Sequence, residues 1–148
     1  MAFMPTLETD NYYGAFHFRV SIAGLSDVNQ TFTKVTNIIS ESEPMEFTHG
    51  TDPYTRKSVG RTKFDDLALE RIYNGSDEFY EWRLEIENGT LTRRDVTIEL
   101  LKQDGTPVRT MVCRSAWPLK WQLPDMDASG SGPASETITL SVERVTNS

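Results

Sequence analysis

The cleanest alternation of apolar and polar positions runs through "AFHFRVSIAG". Phe16, Phe18, Val20 and Ile22 share one parity; His17, Arg19 and Ser21 share the other. A period of two is that of a strand with one wet face, and Gly24 ends it. "TFTKVTNIISESEPMEF" is rich in Thr, Val, Ile and Phe, but its phase slips between Phe32 and Val35. One or two strands with a bulge or corner are expected there, with Pro44 marking an edge or a break in pairing. In "KFDDLALERIY", Leu67 and Leu69 fall on one face and predict a further strand, followed by a turn at Asn74-Gly75.

The period then lengthens. "SDEFYEWRLEIENG" places Phe79, Trp82 and Ile86 at i, i+3 and i+7, flanked by Tyr80 and Leu84. That spacing predicts a helix within about residues 76–88 whose apolar stripe faces the core. Ser76 is the expected N-cap, Asp77 and Glu78 suit the positive end of the helix dipole, and Asn88-Gly89 can close the C-terminus. Past the helix, Val96, Ile98 and Leu100 alternate with Thr97 and Glu99, and Asp104-Gly105 reads as a two-residue hairpin turn. Val108 to Cys113 returns antiparallel. "PDMDASGSGPAS" reads as a flexible loop, and "ETITLSVERV" as the last strand, with Ile138, Leu140 and Val142 inward. Six or seven strands, one helix and mainly antiparallel pairing predict a small β-barrel or sandwich with a flanking α-helix.

One stretch fits none of this. "THGTDPYTRKSVGRTK", residues 48–63, has four basic residues, two glycines and no apolar run. Compact domains rarely carry structureless loops longer than about 12–15 residues, so it reads as a long extended arm. Length adds that 148 residues form a single domain. The 22 acidic and 15 basic residues give a net charge of −7, which argues against general nucleic-acid binding and makes a basic arm stand out. Cys113 is the only cysteine and cannot form an internal disulfide. The N-terminal segment 1–13 has no basic region followed by an apolar run, so neither a signal peptide nor a membrane span is expected.

Candidate chemistry is sparse. Asp125, Asp127, Ser129, Gly130 and Glu136 fall at calcium-loop spacing, but that loop needs a helix on each side. Pro124 precedes it and a strand pattern follows it, so it reads as a solvated connection. His17 and His49 lie far apart without ligand-spaced neighbours. Cys113 reads as a small buried side chain. No nucleophile elbow or phosphate-cradling glycine loop occurs, and Asp65 and Asp66, adjacent on a strand, would point to opposite faces. Trp117 and Trp121, spaced by Pro118, read as anchors packing a loop, and Trp82 as the anchor of the helix. With no catalytic residues, metal ligands or cofactor site in view, a non-catalytic role is expected. A domain with open strand edges and a long arm must cover those edges or use them, and self-assembly would use both.

Four segments together resemble the tail-tube proteins of contractile phage tails and related contractile injection systems. In order they are "FHFRVSIAG", "ERIYNGSDEFYEWRLEI", "RRDVTIELLKQDGTPVRTMVCRSAWPLKW" and "SETITLSVERV", spanning about residues 14 to 145. "RKSVGRTKF" departs from the family's usual lysine and glycine segment at the end of the arm. The resemblance implies a structural subunit: six copies joined edge to edge in a ring, and rings stacked into a tube inside a contractile sheath. It implies sheath, baseplate or spike proteins and a tape-measure protein or cargo as partners, assembly in the bacterial cytoplasm, and no membrane binding by the subunit alone.

On that resemblance the arm contacts neighbouring subunits through His49, Asp52, Tyr54, Arg56, Lys57, Arg61 and Lys63. The four cations would pair with acids of an adjacent copy, and the arm would be ordered only by neighbours. A conduit that passes acidic cargo should be lined by like charge, which makes Glu41, Glu43, Asp66 and Glu70 the candidates for the bore. A baseplate or tail-terminator protein of the same fold, and a monomeric ligand-binding β-barrel, are the alternatives.

Overall fold

The computed structural model describes residues 17–25, 32–73, 75–123, 128–130 and 132–147. Phe16, the N-terminal segment, Asn74, Asp125 and Asp127 lie outside the described residues. The chain forms β1 (Phe18–Ile22), β2 (Phe32–Thr36), β3 (Ser40–Phe47), β4 (Arg56–Phe64), β5 (Leu67–Ile72), α1 (Glu78–Glu87), β6 (Arg94–Leu101), β7 (Pro107–Gln122), β8 (Ser135–Ser141) and β9 (Arg144–Asn147). Seven strands join in the order β1-β6-β7-β8-β5-β2, with β9 on β7; β3 and β4 form a separate two-stranded sheet. All pairings are antiparallel. The result is sandwich-like and not a closed barrel. The strand count exceeds the expected six or seven because β2 and β3 are distinct, part of the arm is strand, and β9 follows β8 directly.

The 16-residue β7 folds the sheet over. Its first half pairs with β6 and β9, its second half with β8. The switch falls at Ser115, whose φ of 54° is left-handed, beside a bulge in the β6 pairing. Such a conformation disfavours a non-glycine residue, and Asp95 holds it. Its Oδ1 accepts from the Ser115 amide at 3.0 Å, and its Oδ2 from Arg114 Nη1 at 3.1 Å. The Ser115 amide, then the Arg114 side chain, keep the Asp95 carboxyl below its ordinary range.

Inside the fold sit Val20, Ile22, Leu67, Leu69, Val96, Ile98, Ile138, Leu140 and Val142, the parities predicted from the alternation, together with Cys113. Burial pushes the Cys113 thiol up to about 11. The slip near Phe32 is a bulge between Phe32 and Lys34, and Pro44 sits at a register shift in β3.

Helix α1 buries Phe79 and Trp82, with Ile86 half-buried. Its N-cap is Asp77 rather than Ser76: the Asp77 carbonyl accepts from the Glu81 amide at 2.9 Å, and neither side chain makes a strong cap. Gly89, with φ of 90°, closes the C-terminus as expected. The β6–β7 turn is wider than two residues. The Lys102 amide donates to the Thr106 carbonyl, leaving Gln103, Asp104 and Gly105 in the loop, with Gly105 at φ 90°.

Candidate assembly surface

The arm is a β-hairpin. Residues 48–55 form its connection and Arg56–Phe64 its second strand, so the expectation of a segment ordered only by neighbours is corrected: β3 orders it within the chain. The signal was faint because β4, "RKSVGRTKF", has one apolar residue in its interior, Val59. In the connection, Asp52 organises the turn. Its amide donates to the His49 carbonyl at 2.7 Å, and its carboxylate accepts from the Tyr54 amide at 3.0 Å and from Arg56 Nε at 2.6 Å.

Register fixes the two faces. Glu41 opposes Lys63, Met45 opposes Ser58, Glu46 opposes Lys57 and Phe47 opposes Arg56. Alternation puts Glu41, Glu43, Met45 and Phe47 on one face. Gly60 sits at the register shift because a Cβ there would lie 2.5 Å from the Glu43 carbonyl oxygen. Every residue of β3 is exposed. Met45, Phe47, Tyr54 and Val59 remain 58%, 48%, 74% and 75% exposed, in a hairpin with no core of its own.

Three of the four predicted cations find acids inside this hairpin. Arg56 pairs with Asp52 at 2.6 Å, Lys57 with Glu46 at 4.0 Å and Lys63 with Glu41 at 4.0 Å. Arg61 has no ion-pair partner among the described residues. Of the acids considered for a bore, Glu41 and Glu43 share a face of β3. Glu70 lies on β5, on the parity opposite to buried Leu67, Leu69 and Arg71, while Asp66 lies between β4 and β5.

The tryptophan segment is strand, not loop: Trp117, Pro118 and Trp121 all belong to β7. Pro118 is fully buried, and Trp117 and Trp121 are partly buried. Trp82 is 1% exposed and donates from Nε1 to the Thr92 carbonyl at 2.8 Å. Trp121 Nε1 donates to Glu136 Oε1 at 2.6 Å, while Arg71 Nε donates to Glu136 Oε2 at 2.9 Å. Arg71 and Glu136 are 0% and 1% exposed. The Arg71 guanidinium lies 3.9 Å from the centre of the Phe79 ring, which stacks on Phe32. This buried pair ties β5, β7, β8 and α1 together, and it commits the last position of the calcium-like spacing to an arginine. Its signal was legible. Arg71 extends the inward parity of Leu67 and Leu69, Glu136 that of Ile138 and Leu140, and the two are opposite each other in register. Among the described residues no group of His, Cys, Asp and Glu could hold a metal ion, and no helix is long and apolar enough to cross a membrane.

The exposed β3–β4 hairpin stands beside a bent antiparallel sandwich as a separate two-stranded sheet. The family profile of the T4-like virus tail tube protein gp19 matches residues 14–146, and the chain belongs to that family. None of the curated proteins compared matches it. Among solved structures, a chain of an extracellular contractile injection system, the PVC sheath–tube complex in its extended state, superposes with a TM-score of 0.83 at 22% identity, covering 97% of this chain and 99% of that one. A chain of the anti-feeding prophage tube-terminating cap gives 0.81 at 22% identity, covering 100% and 94%. Hcp1 from Flavobacterium johnsoniae gives 0.56 at 20% identity, covering 89% and 94%.

Proposed function

We propose that this chain is the repeating subunit of the inner tube of a contractile tail or injection particle. Six copies join edge to edge into a ring, and rings stack around a conduit for DNA or effector cargo. The observation that carries this reading is the β3–β4 hairpin, an ordered element whose large apolar side chains face solvent within a single copy. The edges β1 and β2 of the seven-stranded sheet lack a second strand neighbour among the described residues, and ring formation would pair them.

In the ring, Glu41, Glu43, Asp66 and Glu70 are the candidates for an acidic bore, and His49, Asp52, Tyr54, Arg56, Lys57, Arg61 and Lys63 belong to the inter-subunit arm. A contractile sheath, baseplate or spike proteins and a tape-measure protein or cargo are the expected partners, with assembly in the bacterial cytoplasm. Support for the partners comes from the similar chains in sheath–tube, cap and baseplate structures. Electron microscopy of the purified protein tests the proposal: hollow tubes of stacked rings are expected, and a monodisperse monomer at high concentration rules it out. A second reading, a capping or baseplate protein of the same fold, draws on the similarity to chains of the cap and baseplate structures; isolated rings that never elongate would favour it.

A further inference from the structure

A cleft of about 360 Å³ opens between β2 and the β1-β6-β7 part of the sheet. Phe18, Val35, Ile38, Ile98, Leu100 and Met111 form its walls, and Ile38 is 40% exposed. Lys34 and Arg109 stand among the lining residues, and neither has an ion-pair partner among the described residues. An apolar recess with two unpaired cations calls for an apolar occupant that carries an acid.

The same chain displays such an object. Met45 and Phe47 project from one face of β3, and Glu43, one step back on that face, has no ion-pair partner among the described residues. Alternate residues on a strand lie about 7 Å apart, so Met45 and Phe47 can enter the recess while Glu43 meets Lys34 or Arg109 beside them. Building on the tube reading, we propose that the cleft is the receptor for the β3–β4 hairpin of a second copy of this chain. Met45 and Phe47 insert, and Glu43 pairs with the cations, which takes it out of the bore and leaves Glu41, Asp66 and Glu70 as the candidates there.

A hairpin cannot turn back into its own cleft. Ile38 and Phe47 are separated by nine residues, eight of them in extended β3, or about 30 Å of chain. Donor and receptor are different surfaces, so the contact is head-to-tail and either closes into a ring or continues as a filament. Burial of apolar side chains, rather than the arm's cations, then supplies most of the attraction. Exposed ion pairs weaken in salt, and apolar burial does not.

A disulfide trap tests this. The double variant Ile38→Cys/Phe47→Cys is assembled and oxidised, with each single variant as control; Cys113 is buried and stays out of the reaction. A disulfide needs Cα atoms within about 7 Å, so only contact between copies can form it. A ladder of covalent multimers on a non-reducing gel is expected from the double variant alone. If wild-type protein forms tubes or rings but the variant does so without a ladder, the cleft assignment is overturned and the tube reading stands. If wild-type protein never leaves the monomer, both fall.

Should the cysteine variant fail to fold, a mixing experiment decides. Met45→Ser/Phe47→Ser lacks the donor and Ile38→Asp lacks the receptor. Each alone is expected to need at least about tenfold more protein to assemble. Mixed, they should form 1:1 dimers by light scattering at concentrations where neither assembles alone, since each supplies the half of the contact that the other lacks. No dimer from two folded variants overturns the inference.

Discussion

Strands β8 and β3 are of similar length, seven and eight residues, yet β8 buries Glu136, Ile138 and Leu140 in alternation while no residue of β3 is buried. β8 runs between β5 and β7 and has a core beneath it; β3 pairs only with β4. A two-stranded hairpin alone is at best marginally stable in water. Among the described residues, the hairpin adds to its ladder exposed ion pairs, each worth about 0–1 kcal/mol, the Ser42–Thr62 hydroxyl contact at 2.9 Å and the Asp52 turn bonds. The same backbone conformation thus serves two ends. In the sandwich, side-chain alternation is used up within the chain. In the hairpin, it is presented outward, and Met45 and Phe47 stay exposed.

The sharpest way to break that contrast is to remove one half of the buried pair. Glu136→Ala removes the carboxylate that neutralises buried Arg71 and should cost about 3–5 kcal/mol, read as a lower urea midpoint. A loss below about 1 kcal/mol would mean that water reaches Arg71 and that the pair does not tie the layers together. Next in size, Ile138→Val trims a fully buried methyl group and should cost about 0.5–1.5 kcal/mol. On the exposed hairpin, Val59→Thr, which replaces a methyl group by a hydroxyl, should stay within about 0.5 kcal/mol. Equal losses at the two positions would erase the distinction between core and hairpin.

A smaller effect belongs to the corner of β7. The folded-state pKa of Asp95 lies below its unfolded value, so its contribution is present above the ordinary carboxylate range, about pH 3.9. It is lost as pH falls through the lowered value. Asp95→Asn should flatten the acid limb of a stability-versus-pH curve below about pH 4, whereas Val59→Thr should leave that limb unchanged. An unchanged acid limb would show that Ser115 is held by other means. The smallest effect on stability is expected from Met45→Ser/Phe47→Ser, within about 0.5 kcal/mol for the isolated copy, while assembly is strongly impaired. A large drop in the melting temperature of the monomer would show that these side chains already pack within their own chain.

Local pattern determined most of the sandwich. Val20 with Ile22, Leu67 with Leu69, and Ile138 with Leu140 and Val142 were placed inward by a period of two, and Phe79 with Trp82 by a helical period, because each pattern needs only neighbours along the chain to be read. The Arg71–Glu136 pair was present in the same pattern as two charges on inward parities, but the registration of β5 against β8 is what converts two improbable buried charges into one satisfied pair. The hairpin was opaque for a related reason. "RKSVGRTKF" has too few apolar residues to mark a strand by alternation, since the described residues leave most of it exposed, and its pairing with β3 is what makes it one. The corner at Ser115, which routes β7 from one part of the sheet to the other, left no periodic trace either. It depends on Asp95, twenty residues away in sequence and brought to it by the β6–β7 pairing. Parity is a property of the strand itself, whereas the identity of the strand alongside, and whether anything covers a face, is decided by long-range closure that only the tertiary structure contains.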